Sequence, residues 1–247
     1  MRYNERLKSI YSNQKSGDVY YRYFTRFISA PITAMLSFTP VTPNMATLSM
    51  FFFGILGAIC LSLGNAYSYI LGGCCFQLLI IADTVDGELA RFHGTSSLFG
   101  DYFDRLAHYA TNPLCIIGIG LSLYSNSQEI GLIYFATFAM ICYLLDDISR
   151  DILISCGLSV EVNRKGGKSE MAIMSKSRIK IFFLNTGSNT AFFHLIVLAA
   201  VVDIVLTDAV NLKTDLFVSH AYMLYFLLLT IAKFFLRSPL IWKLKSI

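Results

Sequence analysis

Between Asp83 and Ala110 the chain reads DTVDGELARFHGTSSLFGDYFDRLAHYA, gathering four aspartates, a glutamate, two arginines and two histidines into one short stretch. On a helix advancing 100° per residue, Asp83, Asp86, Gly87 and Ala90 share a face with Arg91 at its edge, while Glu88 points elsewhere. After the FHGTSS link, Gly100, Asp101, Asp104, His108 and Thr111 make a second such face. Two acidic faces brought together repel, and a hard divalent cation with oxygen ligands turns that repulsion into binding. Gly87 and Ala90 leave room for a ligand or a backbone to come close, and a helical Gly costs about 1 kcal/mol relative to Ala, so its place among the acids implies such an approach. Arg91 carries a planar fork of donors suited to phosphate. Carboxylates for metal, a cradle of small residues and an arginine for phosphate together point to phosphoryl-group transfer from a metal-bound diphosphate.

The elements that must hold these residues are apolar. The chain is 55% hydrophobic and 15% charged over 247 residues, with a mean hydropathy of +0.58, which excludes an ordinary soluble composition. A bilayer core of roughly 30 Å needs about 20 apolar residues per helix, and such stretches occur near 44–63, 66–91, 98–124, 130–157, 180–206 and 215–237. The fold class expected is therefore all-α, a polytopic membrane protein with six transmembrane helices. A lone ionised Asp at the centre of a membrane helix costs about 2.5 to 3.5 kcal/mol, so the acids from Asp83 to Asp104 need compensating partners.

The net charge of +4 reflects where Lys and Arg lie and calls for no nucleic-acid surface. Arg2, Arg6, Lys8, Lys15, Arg22 and Arg26 precede the first span; Arg164, Lys165, Lys168, Lys176, Arg178 and Lys180 separate the fourth from the fifth; Lys233, Arg237, Lys243 and Lys245 close the chain. The opposite loops carry Lys213 alone. By the positive-inside rule both termini are cytoplasmic, which an even number of spans satisfies, and the charged stretch faces the cytoplasm. The run VYYRYFTRFISAPITAML has the aromatic and basic pattern of an N-terminal interfacial amphipathic helix; a polar lead-in to the first span is the alternative. No repeat and no dividing linker is visible, so residues 1–247 read as a single membrane domain: 1–40 cytoplasmic and interfacial, 44–237 the transmembrane bundle, 238–247 a cytoplasmic tail. The six cysteines show no metal-ligand spacing and read as apolar filling rather than a disulfide framework.

The charged stretch resembles the signature of the CDP-alcohol phosphotransferase (CDP-alcohol phosphatidyltransferase) family, D-x2-D-G-x2-A-R-x8-G-x3-D-x3-D. Asp83, Asp86, Gly87, Ala90, Arg91, Gly100 and Asp104 occupy seven of its eight fixed positions with every spacing kept, and His108 stands where the family has its last aspartate. The TPVTPN lead-in, the six spans and the N-terminal interfacial segment are similar to the family as well. The resemblance implies attack by an alcohol on the β-phosphorus of a CDP-linked donor with release of CMP, in phospholipid or related phosphodiester synthesis. It implies divalent metal, Mg2+ in the first place, on Asp83, Asp86, Asp104 and His108. It places the CDP-linked donor against Gly87, Ala90, Arg91 and Gly100, with Asn44 and Thr47 at the nucleotide end. His108 and Asp104 are the implied catalytic residues, the last motif position deprotonating the acceptor alcohol. It also implies a homodimer and a site on the cytoplasmic face of a bacterial inner membrane.

His108 changes two things. An unperturbed imidazole titrates near 6.5 against about 3.9 for Asp, which suits a general base near neutral pH. Magnesium favours oxygen ligands while imidazole suits Zn, Mn or Fe better, so the alternatives at this position are a metal site weakened, changed in identity or lost. Elsewhere, Asp146 and Arg150, four apart, read as an ion pair, or Arg150 joins Arg105 and the NRKGGK loop in receiving an anionic acceptor. Asp101 is not a motif position. His194 and His220 read as satisfied apolar-region residues and His93 as a linker residue. Two competing readings are a cation-coupled transporter, since intramembrane acids mark ion pathways, and a CDP-binding but catalytically inactive family member.

Overall fold

The computed structural model describes residues 2–13, 25–155, 189–210 and 216–243. Among these residues the structure is all helical: α1 Tyr3–Ser12, α2 Arg26–Leu36, α3 Pro43–Ser62, α4 Ala66–His93, α5 Leu98–Ser127, α6 Gly131–Ser155, α7 Asn189–Val210 and α8 Phe217–Lys243. Among the described residues five helices are long and apolar enough to cross a membrane, over Pro43–Ser62, Ala66–His93, Leu98–Ser127, Gly131–Ser149 and Phe217–Phe235. At the place of the expected fifth span lies a shorter apolar stretch, Phe192–Thr207; residues 180–188 fall outside the described ones. So do the polar loop between the fourth and fifth spans and residues 19–24 of the aromatic lead-in.

Local signals start and stop the helices that matter. Pro43 opens α3 at the position where its missing N–H costs nothing, and Thr42 caps the helix by accepting the Met45 N–H on Oγ1. The Thr95 N–H donates to the Ala90 carbonyl and the Gly94 N–H to that of Arg91, with Gly94 at φ +67°, so the chain leaves α4 through a Schellman turn. Ser97 then caps α5, its Oγ accepting the Gly100 N–H at 3.0 Å. The FHGTSS segment thus turns tightly from one helix into the next.

The described residues group into two compact units, Met1–Leu56 with Cys75–Asn112, and Gly57–Cys74 with Pro113–Ile247. In the first, Ile10 of α1 packs with Ala30 and Ala34 of α2, with Leu7 and Phe92 against them. Arg6 donates to the Ser37 carbonyl at the end of α2 and lays its guanidinium over the Phe38 ring at 3.8 Å. Helix α2 buries Ser29, Ala30, Thr33 and Ala34 and exposes Phe27 and Met35, so its small, partly polar face is the inner one. Ala46 of α3 packs with Val85 and Leu89 of α4.

In the second unit small residues let backbones approach: a Cβ on Gly118 would come within 2.6 Å of the Ala58 carbonyl oxygen, and one on Gly72 within 3.0 Å of that of Gly57. Tyr69 shares hydrogen bonds with Ser122 and with His220 Nε2, so His220, partly buried, has a polar partner. Asp203, 1% exposed, accepts from the Val218 and Ser219 N–H groups and from Ser219 Oγ, and so caps the start of α8 from α7. Cys60, Cys74, Cys75, Cys115 and Cys142 are free thiols.

Candidate active site

Helices α4 and α5 bring three of the expected residues into one cluster. His108 Nε2 lies 3.4 Å from Asp83 Oδ1 and 3.5 Å from Asp104 Oδ1. One potential ligand atom from each of the three lies within 4.8 Å of the others. The i,i+4 spacing stacks Asp104 and His108 on one face of α5, and the tight turn after α4 sets that face opposite Asp83. The cluster is partly open, with side-chain exposures of 20% for Asp83, 38% for Asp104 and 34% for His108.

Its donor set fits a cation. Asp104 Oδ1 is buried and receives no hydrogen bond, a costly condition for a carboxylate oxygen that a metal ligand role relieves. Two carboxylates and one imidazole suit a divalent ion, the nitrogen favouring Mn2+ over Mg2+ relative to an all-oxygen set. Asp86 lies outside this cluster of three. It is 7% exposed and accepts a 2.6 Å hydrogen bond on Oδ2 from Thr47 Oγ1 of α3.

The remaining motif residues surround the cluster. The Arg91 guanidinium lies over Gly87, where an added Cβ would meet Nη1 at 3.1 Å. Gly87 therefore gives the arginine its path along the helix face, one turn after the acids. Ala90 is partly buried and Asn44 is exposed at the start of α3. A Cβ on Gly100 would lie 3.3 Å from Ser97 Oγ and 4.0 Å from Asn44 Oδ1, which brings the starts of α3 and α5 together. Asp101 is exposed in the first turn of α5, where a negative charge suits the helix N-terminus. His93, expected as a linker residue, is instead the exposed last residue of α4, its ring against that of Phe92. Arg105 is exposed on α5, whereas the side chain of Arg150 and the NRKGGK loop lie outside the described residues, and with them the expected Asp146–Arg150 pair.

Glu88 has a part that its helix-wheel angle does not disclose. It is 3% exposed, and its two carboxyl oxygens accept from Ser29 Oγ at 3.1 Å and Thr33 Oγ1 at 2.7 Å, both on α2. A signal for it exists in the sequence: Ser29 and Thr33 stand four apart in a helix that is otherwise apolar after Arg26, a polar pair on one face that calls for a buried partner.

Over 85 residues the chain is 38% identical to the "Bifunctional IPC transferase and DIPP synthase" of Thermococcus kodakarensis. Over 83 residues it is 39% identical to the protein of the same name from Rubrobacter xylanophilus. Each alignment takes in 34% of this chain and 18% of the relative, so the chain spans less than a fifth of the length of these relatives. The CDP-alcohol phosphatidyltransferase family matches residues 40–236. A match that runs from just before α3 into the body of α8, and takes in both helices of the cluster, shows that the chain belongs to the CDP-alcohol phosphatidyltransferase family.

Proposed function

We propose that this protein transfers a substituted phosphate group from a CDP-alcohol to an alcohol acceptor and releases CMP, in a metal-dependent reaction. The observation that carries the reading is the convergence of Asp83, Asp104 and His108 from two helices, on helices whose motif spacing belongs to the family. In this reading Asp83, Asp86, Asp104 and His108 serve the metal site. A divalent cation held there supplies charge neutralisation for the diphosphate. Arg91 binds a donor phosphate, Gly87 and Ala90 keep the helix face low enough for the donor to approach, and Gly100, Asn44 and Thr47 line the nucleotide end.

The acceptor hydroxyl oxygen bonds to the β-phosphorus while the bond to the bridging oxygen breaks, and CMP leaves with that oxygen. The acceptor proton goes to Nδ1 of His108, the nitrogen left with a lone pair when Nε2–H faces the Asp83 and Asp104 carboxylates. Asp104 sits beside the reacting groups and stabilises the imidazolium that forms. A second reading of His108 follows from its membership of the potential ligand set: a neutral imidazole has one lone pair, and one committed to metal is not available to a proton, so His108 is ligand or base but not both at once.

The membrane arrangement in this proposal is six spans, with the Phe192–Thr207 region completing the five longer helices, and both termini and the site at the cytoplasmic face. The one-sided placement of Lys and Arg supports it, and the outward Phe27 and Met35 of α2 suit an interfacial helix. The names of the two relatives describe a transferase and a synthase, in keeping with group transfer. The test is incubation of the purified protein with CDP-linked lipids and CDP-linked headgroups, each with lipid and water-soluble alcohols, following CMP with and without chelator. CMP release that needs both acceptor and divalent metal is the expected result. Ion flux in proteoliposomes without nucleotide chemistry, or tight CDP binding without CMP, would overturn the reading.

A further inference from the structure

Two hydrogen-bonded anchors grip α4 within a single turn. Asp86 accepts from Thr47 of α3, and Glu88 accepts from Ser29 and Thr33 of α2. Positions 86 and 88 are separated by 200° on a helix, so the anchors act on nearly opposite sides of α4. Gly87 lies between them with the Arg91 guanidinium above it. Two anchors on opposite sides remove the freedom of a helix to roll about its axis, which a single anchor leaves open.

The second anchor is dry. Ser29 and Thr33 are 0% exposed and Glu88 is 3% exposed, so water does not compete for these hydrogen bonds and their loss is felt in full. Around them α2 presents small residues inward, Ala30 and Ala34, and sends Phe27 and Met35 outward. Small apolar contacts tolerate sliding, whereas two hydroxyls meeting the two oxygens of one carboxyl define a register.

We propose that Glu88 is a positioning residue: by accepting hydrogen bonds from Ser29 and Thr33 it fixes the rotation of the last turns of α4, and thereby the direction in which Gly87 and Arg91 meet the phosphates of the donor. The phosphate part of this inference rests on the proposed function; the tether itself does not. It also couples the seating of α2 to the donor site, so that the helix expected at the membrane surface and the helix carrying the motif move as one body.

The test compares Glu88→Ala, Glu88→Gln and the pair Ser29→Ala with Thr33→Val in the full chain, reading hydrogen exchange of residues 26–36 and 83–93 together with KM and kcat for CMP release. Glu88→Ala is expected to raise exchange in both segments and to raise KM for the CDP-alcohol about tenfold, the scale of one lost hydrogen bond to a carboxylate, with kcat little changed. The α2 pair should loosen both segments and raise KM in the same direction, and the triple variant should cost less than the sum of the two because both remove the same hydrogen bonds. Glu88→Gln, whose amide still accepts from one hydroxyl and donates to the other, should restore most of both readouts. Loosening of 26–36 with 83–93 and KM unchanged would reduce Glu88 to an anchor for α2 and overturn the proposal, as would a fall in kcat that Glu88→Gln does not rescue. If Glu88→Ala does not fold, the α2 pair carries the same comparison. If the wild type releases no CMP, the proposed function fails, and the coupled exchange of the two segments still decides the tether.

Discussion

Thr47 Oγ1 of α3 donates a 2.6 Å hydrogen bond to Asp86 Oδ2 of α4, across 39 residues of sequence. The motif names Asp86 as a metal ligand by resemblance, and the structure supplies the partner that holds its carboxyl in place. Replacing Thr47 by the isosteric Val keeps the packing and removes the donor. The expected result is a loss of about 10- to 100-fold in apparent metal affinity, the range for partners that orient a ligand, while Thr47→Ser retains most of it. Titration of CMP release against Mn2+ and Mg2+ measures both, and equal affinities for Val and wild type would refute the orienting role.

Gly87→Ala separates stability from binding. Ala is favoured over Gly in a helix by about 1 kcal/mol, so thermal unfolding in detergent is expected to stay level or rise. The new Cβ would sit 3.1 Å from Arg91 Nη1 and push the guanidinium off its path, so KM for the CDP-alcohol is expected to rise. A lowered melting temperature with unchanged KM would contradict this account.

At His108 the outcome depends on which role the ring's one lone pair plays. As a base, His108→Ala lowers kcat by about 10²- to 10⁴-fold. His108→Asp then keeps measurable turnover, and the acid limb of its pH–rate profile moves toward lower pH, because a free carboxylic acid titrates near 3.9 and a free imidazole near 6.5. As a ligand, the same Asp variant shifts the preference from Mn2+ toward Mg2+, since oxygen replaces nitrogen in the donor set. An Ala variant as active as wild type removes the base assignment.

Asp104→Asn and Asp83→Asn keep the shape of the cluster and remove its charge. Each is expected to cost more than the roughly 100-fold typical of outer partners of a metal site, and removal of divalent metal by chelator should abolish CMP release in the wild type. Full turnover in either variant would sink the metal role.

Gly118→Ala tests packing away from the site. Its Cβ would meet the Ala58 carbonyl oxygen at 2.6 Å, and a backbone atom yields less readily than a side chain. Overpacking of this kind costs about 1 to 3 kcal/mol, to be read as a lower unfolding temperature with KM unchanged.

Much of the fold and the candidate site is legible along the chain because its signals are local. Helices at 43–62, 66–93 and 98–127 stand within a few residues of the apolar stretches at 44–63, 66–91 and 98–124, since length and hydropathy alone decide which segments avoid water. The convergence of Asp83 with Asp104 and His108 follows from spacing plus a short turn, both written into neighbouring residues. Glu88 is where this reasoning fails. A helix wheel reports that it points away from the acids but not what it points toward.

What the sequence by itself determined is therefore everything set by neighbours: the membrane helices, the faces of α4 and α5, the turn between them and the family signature with its one departure at His108. What only the tertiary structure decided is who meets whom across distance. Asp86 finds Thr47, Glu88 finds Ser29 and Thr33, and Asp203 finds the start of α8. The physical reason is that periodicity gives the direction of a side chain about its own helix axis, whereas its partner depends on how separate helices pack, and burial then obliges each polar group to be met.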